Sequence, residues 1–500
     1  MTDDTAARPG NDLERRLGGP VGRHGVREGI WFDPVPWAIL AALVTWLVLL
    51  WHQHACVQTS AGHPVNALLR LCYSDIPLVY QGSGFGSGLT PYTGFPLNYG
   101  PTTAAFMVVA RWLTELLGYP SRPGLSQQQV LDASNAWWLV TGALLFAMFL
   151  ALVGAHLLLG RGSSRDTGGL LTRRVRSWDA LFVAGAPVVA AAGLVNWDML
   201  AVGLVGLGLL AWALRRPMLA GTLLGLAAGS KFYPIVILIG IVVLCVRAGL
   251  RQAPVRALIG FLAAWLVVDV PVLLTAPRAW LQWYTNWLHN GADLGSIWWV
   301  LQDAGISVPY PGVIGALLWM STAAFVVSRV MGAPRRPRVG QVAFLLVAAM
   351  VLWDKGYPPQ HVLWVLPLLV LARPVMLDWA AFTVAELLYF WAVWGHLNGS
   401  TVTGGQRDLW YWLAILLRIS VLVWIGTRVL RDMQRPWNDP VRGPFVDDPV
   451  GGVLDHAPDA MAAAATGDLP VGRDDSVAEQ GDGADDATAP RGTRRASARR

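Results

Sequence analysis

Residues 194–251 read LVNWDMLAVGLVGLGLLAWALRRPMLAGTLLGLAAGSKFYPIVILIGIVVLCVRAGLR. Three apolar runs, at about 198–214, 218–230 and 232–246, are separated by corners that alternate in kind. Asn196 and Asp198 mark one corner, Arg215 and Arg216 the next, Lys231 the third, and Arg247 and Arg251 the last. The runs lack the polar–apolar alternation of a barrel strand. In lipid they can satisfy their backbone groups only as helices.

The same pattern extends both ways. Further apolar runs lie at about 35–52, 98–118, 135–160, 178–194, 257–275, 312–332, 340–353, 361–372, 378–396 and 409–427. Several reach the roughly 17–25 residues that cross a ~30 Å hydrocarbon layer. The 500-residue chain is 54% hydrophobic and only 14% charged, whereas a soluble protein of this size is about a quarter charged. The expected fold is therefore an all-α polytopic integral membrane protein with about 12–13 hydrophobic segments, its natural partner being the lipid bilayer. Residues 1–34 form a polar cytoplasmic segment, 35–430 the membrane domain with an outer loop at 53–97, and 431–500 a disordered cytoplasmic tail. No short apolar core with a small-residue cleavage site precedes the first run, which is expected to stay as an anchor.

Arginine assigns the sides. Of 38 basic residues only Lys231 and Lys355 are lysines. Clusters at Arg173, Arg174 and Arg176, at Arg215 and Arg216, at Arg247, Arg251 and Arg256, at Arg335, Arg336 and Arg338, and at Arg428, Arg431 and Arg435 separate alternate runs. By the positive-inside rule these corners are cytoplasmic, which accounts for the net charge of +6 and leaves no reason to invoke nucleic acid. The complementary corners, at about 53–97, 194–197, 231–234, 276–311, 354–360 and 397–408, then face outward and hold both lysines. Strict alternation fails unless one early run does not cross. The segment 98–118, with Arg111 and Glu115 on one helix face, is the candidate for a re-entrant or interfacial helix.

The outward corners carry the polar constellations. The first, CYSDIPLVYQGSGFGSGLTPY from Cys72 to Tyr92, places Asp75 among aromatics, where a carboxylate either accepts a proton from a hydroxyl or simply caps a helix. Cys56 and Cys72 fall in the same segment, and both a disulfide and two free thiols fit their spacing. Asp198 is expected to cap the helix it opens. Lys231 stands in almost wholly apolar surroundings, so its ammonium either meets an anionic ligand or pairs with Asp75 or Asp198. GADLGSIWWVL, from Gly291, offers Asp293 and Trp298, suited to membrane anchoring or to sugar rings. DKGYPPQH offers Asp354, Lys355, Tyr357, Gln360 and His361; Lys355 and His361 grip a phosphate in one reading, and Lys355 pairs with Asp354 in the other.

Together these segments resemble glycosyltransferase family 87, the polyprenyl-phosphate-mannose-dependent mannosyltransferases of actinobacterial envelopes. The resemblance runs over roughly 35–430. It rests on CYSDIP with TPY, the Asn196-x-Asp198 corner, AGSKFYP around Lys231, GADLGSIWWVL, and DKGYPPQHVLWVLPL. The chain departs from the family's usual Ser-Pro-Gln-Tyr at Tyr357–His361, and from an expected Tyr-Pro at PLNYGP, which holds Asn98 and Tyr99. The resemblance implies a GT-C-type fold in the plasma membrane, an extracytoplasmic catalytic side, a polyprenyl-phosphate sugar donor, a glycolipid or glycan acceptor, and no cofactor or metal. It implies Asp75 as catalytic base, Lys231, Lys355 and His361 at the donor phosphate, and Tyr73, Tyr92, Asn196, Asp198, Asp293, Trp298, Tyr357 and Gln360 as substrate contacts. A flippase or transporter of lipid-linked sugars is the alternative from another class.

Overall fold

The computed structural model describes residues 31, 33–160, 177–289, 291–402, 407–442, 447–455, 457 and 459, without the side chains of 287–289. The Arg173–Arg176 cluster, residues 1–30 and residues 460–500 lie outside the described residues. The described chain is helical: α1 Pro34–His54, α2 Asp75–Gly82, α3 Pro101–Leu116, α4 Gln127–Leu159, the short α5 Leu181–Ala184 and α6 Pro187–Ala192, α7 Asp198–Ala213, α8 Pro217–Ala228, α9 Tyr233–Arg247, α10 Gln252–Thr275, α11 Pro277–His289, α12 Ile297–Asp303, α13 Pro311–Met331, α14 Val339–Trp353, α15 Val362–Ala372, α16 Met376–Leu397 and α17 Leu409–Gln434. Six of these (α1, α4, α10, α13, α16, α17) are long and apolar enough to cross a membrane, and six shorter apolar segments, including the broken helix over Trp178–Ala192, accompany them. Their faces carry lipid-compatible exposed side chains such as Leu43, Leu47, Val267 and Leu274.

Local chemistry fixes the helix starts. Asp33 accepts the Val35 amide (3.0 Å) ahead of a proline-led first turn, an arrangement favoured because proline's missing N–H would be unpaired there anyway. Ser126 and Gln129 form a capping box at the start of α4, and Asp408 accepts the Tyr411 amide (3.0 Å) at α17. With 33 residues, α4 is about 50 Å long, so its polar first turns stand clear of the layer and reach the 55–100 loop, where Gln128 bonds Thr59 and Ala61.

Close packing rests on small residues. A Cβ on Gly221 would stand 1.8 Å from the Ala257 carbonyl oxygen, on Gly225 2.3 Å from that of Phe261, and on Gly260 2.2 Å from that of Met218. α8 and α10 thus meet backbone to backbone through a small-xxx-small seam.

The corners sort to two ends as the arginines require. At one end Asp75 N bonds Val195 O (2.7 Å), Thr102 N bonds Gly229 O (3.0 Å), Asp293 N bonds Lys355 O (2.8 Å), Asn286 bonds Asn98 (3.0 Å) and Asn398 bonds Leu68 O (3.3 Å). At the other, Arg247 donates to Ala333 O (2.8 Å), Arg338 to Leu371 and Ala372, and Arg373 and Arg428 reach Asp378. We call these the lysine end and the arginine end.

Helix α3 resolves the broken alternation. Both of its ends meet lysine-end segments: Thr102 bonds Gly229 and Arg111 donates to Leu89 O (2.7 Å). It buries Ala104, Met107 and Ala110 and exposes Val109, Trp112 and Leu116. It therefore lies along the lysine end without crossing to the other.

The expected tail needs correction in its first part. α17 continues to Gln434, and residues 447–455 pack back with Val450 and Leu454 buried. Gly451 O accepts from Trp212 (3.0 Å), Asp439 holds Arg338 (2.8 Å), and Asp448 accepts the Val339 amide (2.8 Å). Aspartates that composition marks as solvated are here the counter-charges of the arginine corners. Cys56 and Cys72 are disulfide-bonded, their Cα atoms 5.8 Å apart, and Cys245 is buried in α9.

Candidate active site

Asp75 opens α2, capped by Ser74, whose hydroxyl accepts the Ile76 amide (3.3 Å) and donates to Leu194 O (2.6 Å). With the Asp75–Val195 backbone bond, this pins the start of α2 to the Asn196-x-Asp198 corner. The half-buried Asp75 carboxylate accepts two phenols: Tyr73 on Oδ1 and Tyr99 on Oδ2, each at 2.8 Å. Burial first, and the Asp75 charge second, push both phenols well above the ordinary tyrosine range. They stay protonated donors and orient the carboxylate.

Tyr99 links this carboxylate to a cation. Its ring stands edge-on to Trp197 (4.9 Å) and 5.8 Å from the Lys231 ammonium. Lys231 is ion-paired to Asp198 (2.7 Å), whose side chain is fully buried. The predicted capping role therefore passes to Asn196, whose Oδ1 accepts the Asp198 amide (2.9 Å), while the Asp198 carboxylate serves as the counter-ion behind Lys231.

Lys231 opens onto a cavity of about 520 Å³, within the size range of small-molecule sites. Lys355, His361, Asp293 and Asp354 share its wall, and Ile235, Val236, Ala316, Trp319 and Met350 give it an apolar side. The Lys355 ammonium donates to Asn286 O (3.0 Å). Burial draws its pKa below the usual lysine range, against the opposing pull of Asp293 and Asp354. His361 stacks on Trp364 (3.8 Å), and its buried Nδ1 has no hydrogen-bond partner. Asp293 is exposed at the mouth, held by the Leu294 amide (2.7 Å).

A buried post supports the Lys355 corner. The Arg418 guanidinium lies between the rings of Tyr357 (3.3 Å) and Tyr389 (3.7 Å), pairs with Glu386 (2.7 Å) and donates to Tyr357 O (2.6 Å). Tyr357 in turn donates to Glu386 (2.8 Å). Gly295, at φ +76°, fits only without a side chain, since a Cβ would stand 2.1 Å from Tyr357 O.

Of the sequence-predicted residues, Lys231, Lys355, His361 and Asp293 line one cavity, and Asp75 and Tyr73 adjoin it through Tyr99. The others do not line that cavity. Tyr357 points inward to Glu386. Trp298 is buried with its indole N–H on Trp353 O (3.1 Å). Tyr92, at φ 66°, supports Tyr99 by donating to its carbonyl. Gln360 is half-buried beside the corner.

The sequence reading missed α11 as a wall: Trp283, Tyr284 and Asn286 line the cavity, and Trp283 stacks on Phe232 (5.8 Å). It also missed the anchor of that wall, Asp269 of α10, which accepts from Trp280 (2.9 Å) and Tyr284 (2.6 Å). The signal was present, because a lone carboxylate inside an apolar run is a site candidate by default. No known family model matches the chain, and no curated protein matches it.

Proposed function

We propose that the protein is a hexosyltransferase of the plasma membrane, with mannose as the expected sugar. In this reading the lysine end faces outward and takes a polyprenyl-phosphate donor and a glycolipid or glycan acceptor. The observation that carries the reading is the chain Asp75–Tyr99–Lys231, which joins a phenol-held carboxylate to a cavity containing both of the protein's lysines.

Asp75 takes the proton of an acceptor hydroxyl as its oxygen bonds to the anomeric carbon from the face opposite the phosphate. The bond from that carbon to the phosphate oxygen breaks, the electron pair stays on the oxygen, and polyprenyl phosphate leaves with inversion at the sugar. Charge grows on the phosphate, where preset cations lower the barrier most. Lys231, fixed by Asp198, and Lys355, partly stripped of water, fit that task. The apolar side of the cavity, around Ile235 and Trp319, suits the first isoprene units.

The test is transfer from polyprenyl-phosphate mannose in membranes. Asp75→Asn is expected to cut the rate by about 10²–10⁴-fold, the usual worth of a positioned base, with expression and donor binding kept. Unchanged transfer would remove Asp75 as base. Donor moved across vesicles by purified protein that never glycosylates an acceptor would make the transporter the better account.

A further inference from the structure

A second cavity, with about 100 Å³ of water-accessible space, lies between the end of α1, the disulfide loop, α2 and the outer turns of α4. A single water needs roughly 10–15 Å³ on such a measure, so the space has the scale of a sugar ring. No charged side chain lines it. Its polar wall is made of carboxamides: Gln53, Gln58, Gln81 and Asn135.

Three of these are already oriented. Gln58 donates to Ser60 O (2.9 Å), Gln81 to Ser134 Oγ (3.1 Å) and Asn135 to Gln58 O (2.8 Å). A carboxamide that spends one N–H keeps a second N–H and the acceptor capacity of its oxygen. The fourth, Gln53, is 2% exposed and its Nε2 has no hydrogen-bond partner. An amide left unpaired in a buried site is destabilising, and a bound hydroxyl would satisfy it. Trp138 and Tyr73 add aromatic surface, which suits the C–H face of a sugar.

The cavity also lies beside the base. Tyr73 and Ser74, its wall residues, immediately precede Asp75, and Tyr73 bonds Oδ1 while Tyr99, on the Lys231 side, bonds Oδ2. The two cavities thus approach one carboxylate through different oxygens, one cavity charged and one neutral.

We infer that this carboxamide cavity binds an uncharged saccharide unit of the acceptor, with Gln53 as its recognition residue and Tyr73 at the end nearest the base. The inference rests on the transferase reading. Its test uses full-length protein in nanodiscs, methyl α-D-mannopyranoside as probe in saturation-transfer NMR, and an α-mannooligosaccharide acceptor in the transfer assay. Gln53→Met and Gln81→Met, each checked for an unchanged melting temperature, are expected to abolish the probe signal and raise the acceptor KM at least tenfold, with the donor KM unaltered. Should Gln53→Met fail to fold, Gln81→Met decides. No probe signal in the wild type, or wild-type acceptor KM in the folded variants, overturns the inference, and Asp75→Asn that still stops transfer leaves the transferase standing. A probe signal lost in the glutamine variants, but with no transfer by any form, upholds the saccharide site and sinks the transferase.

Discussion

At the scale of single residues, the Lys231–Asp198 pair separates folding from chemistry. Removing one partner of a buried pair leaves an uncompensated charge and costs about 3–5 kcal/mol, whereas an isosteric neutral pair is often tolerated. Lys231→Met is therefore expected to lower the melting temperature sharply. Lys231→Met with Asp198→Asn should recover most of the stability, measured by thermal unfolding in nanodiscs, and still lack transfer; recovery of transfer would make Lys231 purely structural. Lys355 offers a titration. Burial lowers its pKa, so its ammonium persists at low pH and is lost on the alkaline side sooner than an ordinary lysine's. Donor affinity should accordingly fall as pH rises through that lowered value. Lys355→Arg, which holds its charge at any working pH, should move the alkaline fall upward; an unmoved limb would assign it to another group.

At the scale of elements, the site depends on where helices end. α8 runs through the Gly221/Gly225 seam and finishes at Gly229, two residues before Lys231. Gly225→Leu would force its side chain into the Phe261 carbonyl, and overpacking of this kind costs roughly 1–3 kcal/mol. The expected result is a lower melting temperature together with reduced transfer, because the lysine moves with its helix. Wild-type values for both would mean that the α8–α10 contact does not hold the site. Gly221 and Gly225 stand four residues apart in the sequence, a spacing that permits close packing but was not read as such. Their partner helix α10 lies two corners further along the chain, and no local pattern marks it as the neighbour. The Arg418–Glu386–Tyr357 post was missed as a unit, since Arg418 and Glu386 are each conspicuous inside an apolar run but nothing local says that they meet at Tyr357.

At the scale of the whole molecule, two ends were legible because the basic residues in one set of corners are all arginine while the other set holds both lysines. That pattern anticipated two ends and one helix that fails to cross, and α3 takes that place. Residues 436–442 and 447–455 were misread because a stretch rich in aspartate looks solvated until the arginine corners it pairs with are in view. The cavity beside Lys231 was half legible: Lys231 is conspicuous between apolar runs, while Trp283, Tyr284 and Asn286 sit in an aromatic stretch that equally reads as a membrane belt. What joins these scales is a cavity lined by both lysines, with Asp75 linked to it through Tyr99. The most direct measurement is the structure of the protein in a nanodisc with a non-hydrolysable polyprenyl-phosphate sugar bound. The account expects the phosphate within about 4 Å, ion-pair range, of the Lys231 and Lys355 ammonium groups, with the anomeric carbon turned toward Asp75. A phosphate held at the arginine end, or a sugar facing away from that carboxylate, would contradict it.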